Sequence, residues 1–180
     1  MESVHENMFL DRICSPASNK TQATHVVTVF EWTEFIGESE LEQEIMSSLE
    51  ITYKHNLPLD PRDVVRVFLA SGITRPVTDL PRIARMFAAP ALTISAWHQD
   101  RLVGLARSLT DYAYCCYLSD LAVDKEYQGH GIGKELVQRT RDTVGDEVSV
   151  VLLSAPGAMS YYPGLNFAPA DNAFVLKRKR

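Results

Sequence analysis

The segment YQGHGIGKEL, residues 127–136, places Gly129, Gly131 and Gly133 at alternate positions. Glycine inside a regular element costs roughly 0.5–1 kcal/mol relative to alanine, so this clustering needs a local reason. Downstream, Ile132, Leu136, Val137 and Val144 share one face of a helical wheel with the charges opposite, which reads as an amphipathic helix. Upstream, YLSDLAVD (117–124) reads as a strand. After the helix, VSVVLLS (148–154) is continuously apolar, the pattern of a strand buried on both faces of a parallel sheet. The glycines therefore fill the turn that enters the helix of a parallel β–α–β crossover.

The rest of the chain supplies the other layers. Asp60 as N-cap, Pro61 as first helical residue and Gly72 as terminator bracket a helix over 60–72. A second helix starts near Thr78 or Asp79 and runs through LPRIARMFA. EITYKHN alternates as a strand, and ALTISAWHQDRLVGLARSLTD reads as two strands joined at Gln99-Asp100. A helical turn at GAMSYYPG and a last strand, NAFVLKR, are expected near the C-terminus. HVVTVFEW (25–32) is strand-like, and SELE opens a short helix over about 40–49. These elements predict an α/β (α+β) fold with a mixed, mostly antiparallel sheet and helices on both faces. The expected division is an N-terminal extension, 1–48, and one domain, 49–180.

Charge and composition exclude several function classes. A net charge of −5 argues against a nucleic-acid partner. No apolar run approaches the ~20 residues of a membrane-spanning helix, and the first residues lack a basic start followed by an apolar stretch. Three cysteines, two of them the adjacent Cys115-Cys116, do not form a disulfide framework, so a cytoplasmic location is expected. No histidine pair has metal-ligand spacing, so no metal is expected.

Three phosphate-binding patterns compete for QGHGIGK. A P-loop requires G-x-x-x-x-G-K-[ST], but Gln128 occupies its first glycine position and Glu135 follows the lysine. A G-x-G-x-x-G fingerprint beginning at Gly129 puts Lys134 where its last glycine belongs. Q-x-x-G-x-G remains, formed by Gln128, Gly131 and Gly133. Unpaired amides, the positive end of a helix dipole and the missing Cβ atoms suit a pyrophosphate. A tight strand–helix turn with no ligand is the competing reading.

The stretch YLSDLAVDKEYQGHGIGKELVQR resembles the acetyl-CoA motif of the GNAT superfamily of N-acetyltransferases. SYYPGLNF resembles that superfamily's F/Y-Y-x-x-x-G-F segment, and the likeness extends over roughly residues 50–177. The resemblance implies transfer of an acetyl group from acetyl-CoA to a primary amine of a small molecule or peptide, by direct attack in a ternary complex. It implies that the amides of Gly129, His130, Gly131, Ile132, Gly133 and Lys134 cradle the CoA pyrophosphate while Gln128 braces the loop. Leu121, Ala122 and Val123 would offer a strand edge to the pantetheine, with the amide near Leu121 facing the thioester carbonyl. Tyr162 matches the family's tyrosine that protonates the departing thiolate, and Tyr161 takes the apolar position beside it.

On strict alternation Tyr117, Ser119 and Leu121 share one face of their strand and Asp120 points to the other. Tyr117 and Ser119 are then the substrate-facing pair, and no carboxylate stands beside them as a base. Ala155 and Asn166 replace the Asn and Gly that many members carry. A CoA-binding sensor or assembly module without turnover is the alternative, and residues 25–49 could add a strand to a second copy in a homodimer.

Overall fold

The computed structural model describes residues 50–88 and 92–179, so the expected strand at 25–32 and helix at 40–49 lie outside the described residues. Five strands form one sheet in the order β1-β2-β3-β4-β5: β1 (Ile51–His55), β2 (Leu92–His98), β3 (Arg101–Thr110), β4 (Cys115–Val123) and β5 (Ser149–Leu152). The first three pairings are antiparallel, and β4 pairs with β5 in parallel. Helix α1 spans Pro61–Ser71, α2 spans Leu80–Ala88 and α3 spans Ile132–Val144.

Local chemistry explains α1 at both ends. Asp60 has extended backbone and its carboxylate accepts the amide of Arg62 at 2.8 Å. Gly72 closes the helix at φ 79°, where an L side chain is disfavoured. Between these stops Val64, Val67 and Phe68 follow the i, i+3, i+4 spacing of one buried face. They meet Ile83 of α2 together with Leu102, Leu105 and Ala122 of the sheet. Complete burial of a side chain such as Phe68 contributes roughly 1.5–3 kcal/mol relative to exposure. On the opposite sheet face, Leu136 and Val137 of α3 pack with Ile94, Val103 and Leu118. Helices thus cover both faces.

Two strand expectations change. β5 is a short edge strand with Ser149 and Val151 exposed, not a strand buried on both faces. A short apolar run is compatible with several burial patterns, and here β4 is its one strand neighbour among the described residues. Residues 168–179 form no strand, and Phe174 and Leu176 are almost fully exposed. β-branched and aromatic composition favours a strand only where a sheet edge accepts it.

A further irregularity positions the site. Arg107 is paired with Asp120 and Ser108 with Leu118, so Ser119 is an extra residue in β4, a β-bulge.

Candidate active site at the end of the parallel ladder

The β4–β5 ladder ends at Leu118–Leu152, while β4 continues to Val123 with β3 alone beside it. The backbone at residues 119–123 is therefore an open edge on the β5 side. Asp124 turns the chain beyond it: its carboxylate accepts the Glu126 amide at 3.2 Å and the Arg101 guanidinium at 2.8 Å. After one 3₁₀ turn, Gln128 Nε2 donates to the Val123 carbonyl at 2.8 Å. That bond ties the glycine loop to the end of the open edge.

The three glycines answer different demands. Gly129 and Gly131 have φ of 86° and 77°, and a Cβ on either would meet nothing within 4 Å. Their conformation excludes side chains while the space in front stays open. Gly131 is the α3 N-cap without a side-chain cap, and its carbonyl accepts the Glu135 amide at 3.0 Å. The amides of Ile132, Gly133 and Lys134 precede the first intrahelical donor and point out of the turn. Gly133 is different: a Cβ there would lie 2.6 Å from the Tyr161 hydroxyl. Tyr161 packs its phenol on the first turn of α3.

Gly129, Gly131, Gly133 and Lys134 line a cavity of about 570 Å³ together with Leu121, Val123, Tyr161 and Tyr162. His130 is half-buried and is not part of that lining. A second cavity, about 410 Å³, carries Gly72, Ile73 and Arg75 from the α1–α2 connection, with Ser119, Ala122 and Leu152 from the strands. The two cavities share Leu121, Val123, Gln128, Ala158 and Tyr162. Tyr162 stands in the common wall.

Tyr162 opens a 3₁₀ turn over Tyr162–Leu165, and its ring meets Tyr161 and Phe167 edge-on at centroid distances of 5.4 and 5.8 Å. Burial pushes its phenol above the ordinary value near 10, so it is protonated at neutral pH. Burial, with a smaller contribution from Tyr162, does the same to Tyr161. Asn166 ends the turn at φ 63° and donates its amide to Pro163 at 3.1 Å. Asparagine is among the few non-glycine residues that accept this conformation, which explains how it replaces a glycine there.

The bulge corrects the expected facing in β4. Leu118 and Leu121 both lie against the α3 side, whereas Ala122 packs with α1 and α2. Asp120 faces the α1–α2 side and is completely buried between two guanidiniums. Arg107 Nε meets Asp120 Oδ2 at 2.6 Å, and Arg75 Nε contacts Oδ1. Ser119 Oγ accepts from Arg107 at 3.0 Å, and the Ser119 carbonyl accepts from Arg75 at 2.7 Å. Of the expected substrate-facing pair, Ser119 lines the second cavity; Tyr117 is exposed and lines neither. Arg75 lines the second cavity and Tyr161 the first, and sequence reasoning singled out neither as a site residue. Arg75, in GITRPV, has no motif around it, whereas the doubled tyrosine at 161–162 was a usable signal for Tyr161.

Among the described residues no three His, Cys, Asp or Glu side chains could hold one metal ion, and no helix is long and apolar enough to cross a membrane.

Comparison with known proteins gives this geometry a family. The uncharacterized ycf52-like N-acetyltransferase of Prochlorococcus marinus is 32% identical over 99 residues, covering 51% of this chain and 55% of that protein. The histone acetyltransferase TAP1 of Glycine max is 34% identical over 71 residues, covering 38% of this chain and 31% of that protein. The chain therefore spans about half or less of the length of these curated relatives. A GNAT-family acetyltransferase structure from Streptococcus pneumoniae TIGR4 superposes with a TM-score of 0.60 at 21% identity, covering 73% of this chain and all of that one. Residues 63–167 match the acetyltransferase (GNAT) family, and the chain belongs to it.

Proposed function

We propose that this protein transfers an acetyl group from acetyl-CoA to a primary amine of a small molecule or peptide, by direct attack in a ternary complex. The observation that carries this reading is Tyr162, protonated and shared by two cavities at the end of the β4–β5 ladder. The first cavity, lined by Gly129, Gly131, Ile132, Gly133 and Lys134, suits the CoA pyrophosphate, which the amides of residues 129–134 would cradle; the faces of Gly129 and Gly131 fit it, since a Cβ on either would meet no protein atom within 4 Å. Gln128 holds the loop to β4. The open edge at Leu121, Ala122 and Val123 suits the amides of a pantetheine arm, and the second cavity receives the acceptor.

Acetyl-CoA supplies an acyl thioester, and the residues supply what its transfer needs. The Leu121 amide donates to the carbonyl oxygen as negative charge develops there. The amine forms the new N–C bond, the C–S bond breaks, and Tyr162 gives its proton to the sulfur. Asp120 is committed to two guanidiniums and is no base, so the amine proton leaves through water in the second cavity. The transferase unit is residues 49–180, and residues 1–48 are dispensable for CoA binding.

The commitment of Asp120 also favours a second reading, a CoA-binding module without turnover. Acetyl-CoA consumption over a panel of amines, amino acids, polyamines and peptide N-termini separates the two. Free thiol appearing with one acceptor class, together with calorimetric CoA binding, is the expected result. Binding with no acceptor consumed anywhere in the panel would leave the module reading; no binding would remove both.

A further inference from the structure

The acceptor cavity carries an unmatched charge. Arg75, Asp120 and Arg107 place two guanidiniums on one carboxylate, and neither arginine meets a second carboxylate among the described residues. The Asp120 side chain is 0% exposed, Arg107 8% and Arg75 23%. A buried cation is costly unless an anion meets it, and Arg75 is the most exposed member of this cluster. Arg75 is also the member that lines the second cavity. Its Nη1 and Nη2 each give one hydrogen bond, to the Thr74 and Ser119 carbonyls, both at 2.7 Å. Each terminal nitrogen carries a second N–H, which leaves two donors in a planar fork.

We propose that the acceptor is an amino acid-like zwitterion whose carboxylate is read by Arg75 while its amine stands at the Leu121 end of the cavity. This rests on the acetyl-transfer reading above and names its substrate class. The spacing supports it. Arg75 bonds the Ser119 carbonyl, and Leu121 lies two residues along β4, at most about 7 Å at the ~3.3 Å rise of a regular strand, a span that the bulge at Ser119 shortens. A charge-assisted hydrogen bond takes up about 2.8 Å of that span. What remains fits an amine and a carboxylate separated by one to three carbons. Arginine matches a carboxylate bidentately, which a lysine could not do. The same positive charge disfavours acceptors that bring further cations, such as polyamines, because no Asp or Glu is among the described residues that line this cavity.

The test compares matched pairs on the full chain: glycine, β-alanine and γ-aminobutyrate against their amides, with spermidine as the polycation. The expected kcat/KM ratio of acid to amide is roughly 10–100, the size of a charge-assisted hydrogen bond. Arg75→Met leaves a neutral Arg107–Asp120 pair; it should bring the ratio to about one and raise spermidine use. Arg75→Lys keeps the charge without the fork and should fall between. A second arm needs no turnover: N-acetyl-β-alanine and its amide are titrated into the protein with CoA by calorimetry, for wild type and both variants. Acid binding that depends on Arg75 supports the inference. Amides bound or acetylated as well as acids, or a carboxylate preference that survives Arg75→Met, overturns it. In those cases CoA binding and amine acetylation would leave the transferase reading standing. Failure of CoA to bind would instead fell the transferase reading, while the N-acetyl-β-alanine titration without CoA still reports on Arg75.

Discussion

The contact between Gly133 and Tyr161 makes a sharp prediction for a double-mutant cycle. A Cβ added at Gly133 would lie 2.6 Å from the Tyr161 hydroxyl oxygen, about 0.8 Å short of ordinary contact, whereas the next Tyr161 atom, Cζ, would lie at 3.5 Å. Removing the hydroxyl alone therefore clears the space. Gly133 is in the first turn of α3 at unremarkable φ, so alanine should gain about 0.5–1 kcal/mol in helix propensity if nothing obstructs it. In wild type that gain is offset by displacement of the Tyr161 ring, and Gly133→Ala should be neutral or destabilising by up to about 1 kcal/mol. In the Tyr161→Phe background the same change should stabilise by about 0.5–1 kcal/mol. The coupling is then about 0.5–2 kcal/mol, large for a single atom. Urea unfolding of the four proteins, with m-values checked for constancy, measures it. CoA affinity should fall in Gly133→Ala and recover in the double variant, because the displaced ring belongs to the cavity wall. A coupling below about 0.5 kcal/mol would refute the contact.

Tyr162→Phe should lower kcat by about 10²–10⁴ with CoA affinity nearly unchanged, and Tyr161→Phe should cost far less; equal losses would point to packing of the aromatic pair. Because burial raises the Tyr162 pKa above its unfolded value near 10, the protonated form and the stability tied to it persist below pH 10 and are lost as pH climbs through the folded value. Wild-type kcat should therefore hold to pH 10 and fall beyond it, and an alkaline limb identical in Tyr162→Phe would assign it elsewhere. Gly131→Ala should cost about 1–2 kcal/mol of stability because of its φ of 77°, with Gly131→Asn milder; equal losses in the two would mean that backbone conformation is not the cause. Asp120→Asn leaves two guanidiniums without a counter-charge and should destabilise by about 3 kcal/mol or more, read by thermal melting. A chain beginning at Glu50 should bind CoA with wild-type affinity if it folds; folding without binding would place residues 1–48 in the site.

Where local chemistry decides the backbone, the sequence was legible. Asp60, Pro61 and Gly72 bracket α1 through a cap, a ring and a left-handed turn that any neighbourhood would leave in place. The hairpin at Gln99-Asp100 and the glycine loop belong to the same class. The misreadings share another cause. Alternation along β4 is broken by one extra residue at Ser119, and nothing in LSDLAV distinguishes a bulge from a regular strand. The extra residue shifts Leu118 to the Leu121 face, whereas Asp120 stays on the Ala122 face, as alternation had it, and centres a cluster of two guanidiniums. Its partner Arg75 is 45 residues away in sequence, so the pairing exists only once α1 and β4 are packed. Likewise NAFVLKR has the side chains of a strand, but a strand needs a neighbour that its own residues cannot supply.

The unequal lengths of β4 and β5 leave five residues of β4, 119–123, without a strand partner on the β5 side. Backbone groups with no ladder partner exchange their amide protons with solvent on the timescale of local opening, without waiting for global unfolding. The β5-facing amides of residues 119–123 should therefore be the fastest-exchanging part of an otherwise protected strand. A ligand arm that supplies the missing acceptors would slow them selectively while leaving the β3-facing amides unchanged. Deuterium uptake along β4 thus becomes a recording of occupancy, and it would trace the path of the bound molecule along the backbone before any acceptor is identified.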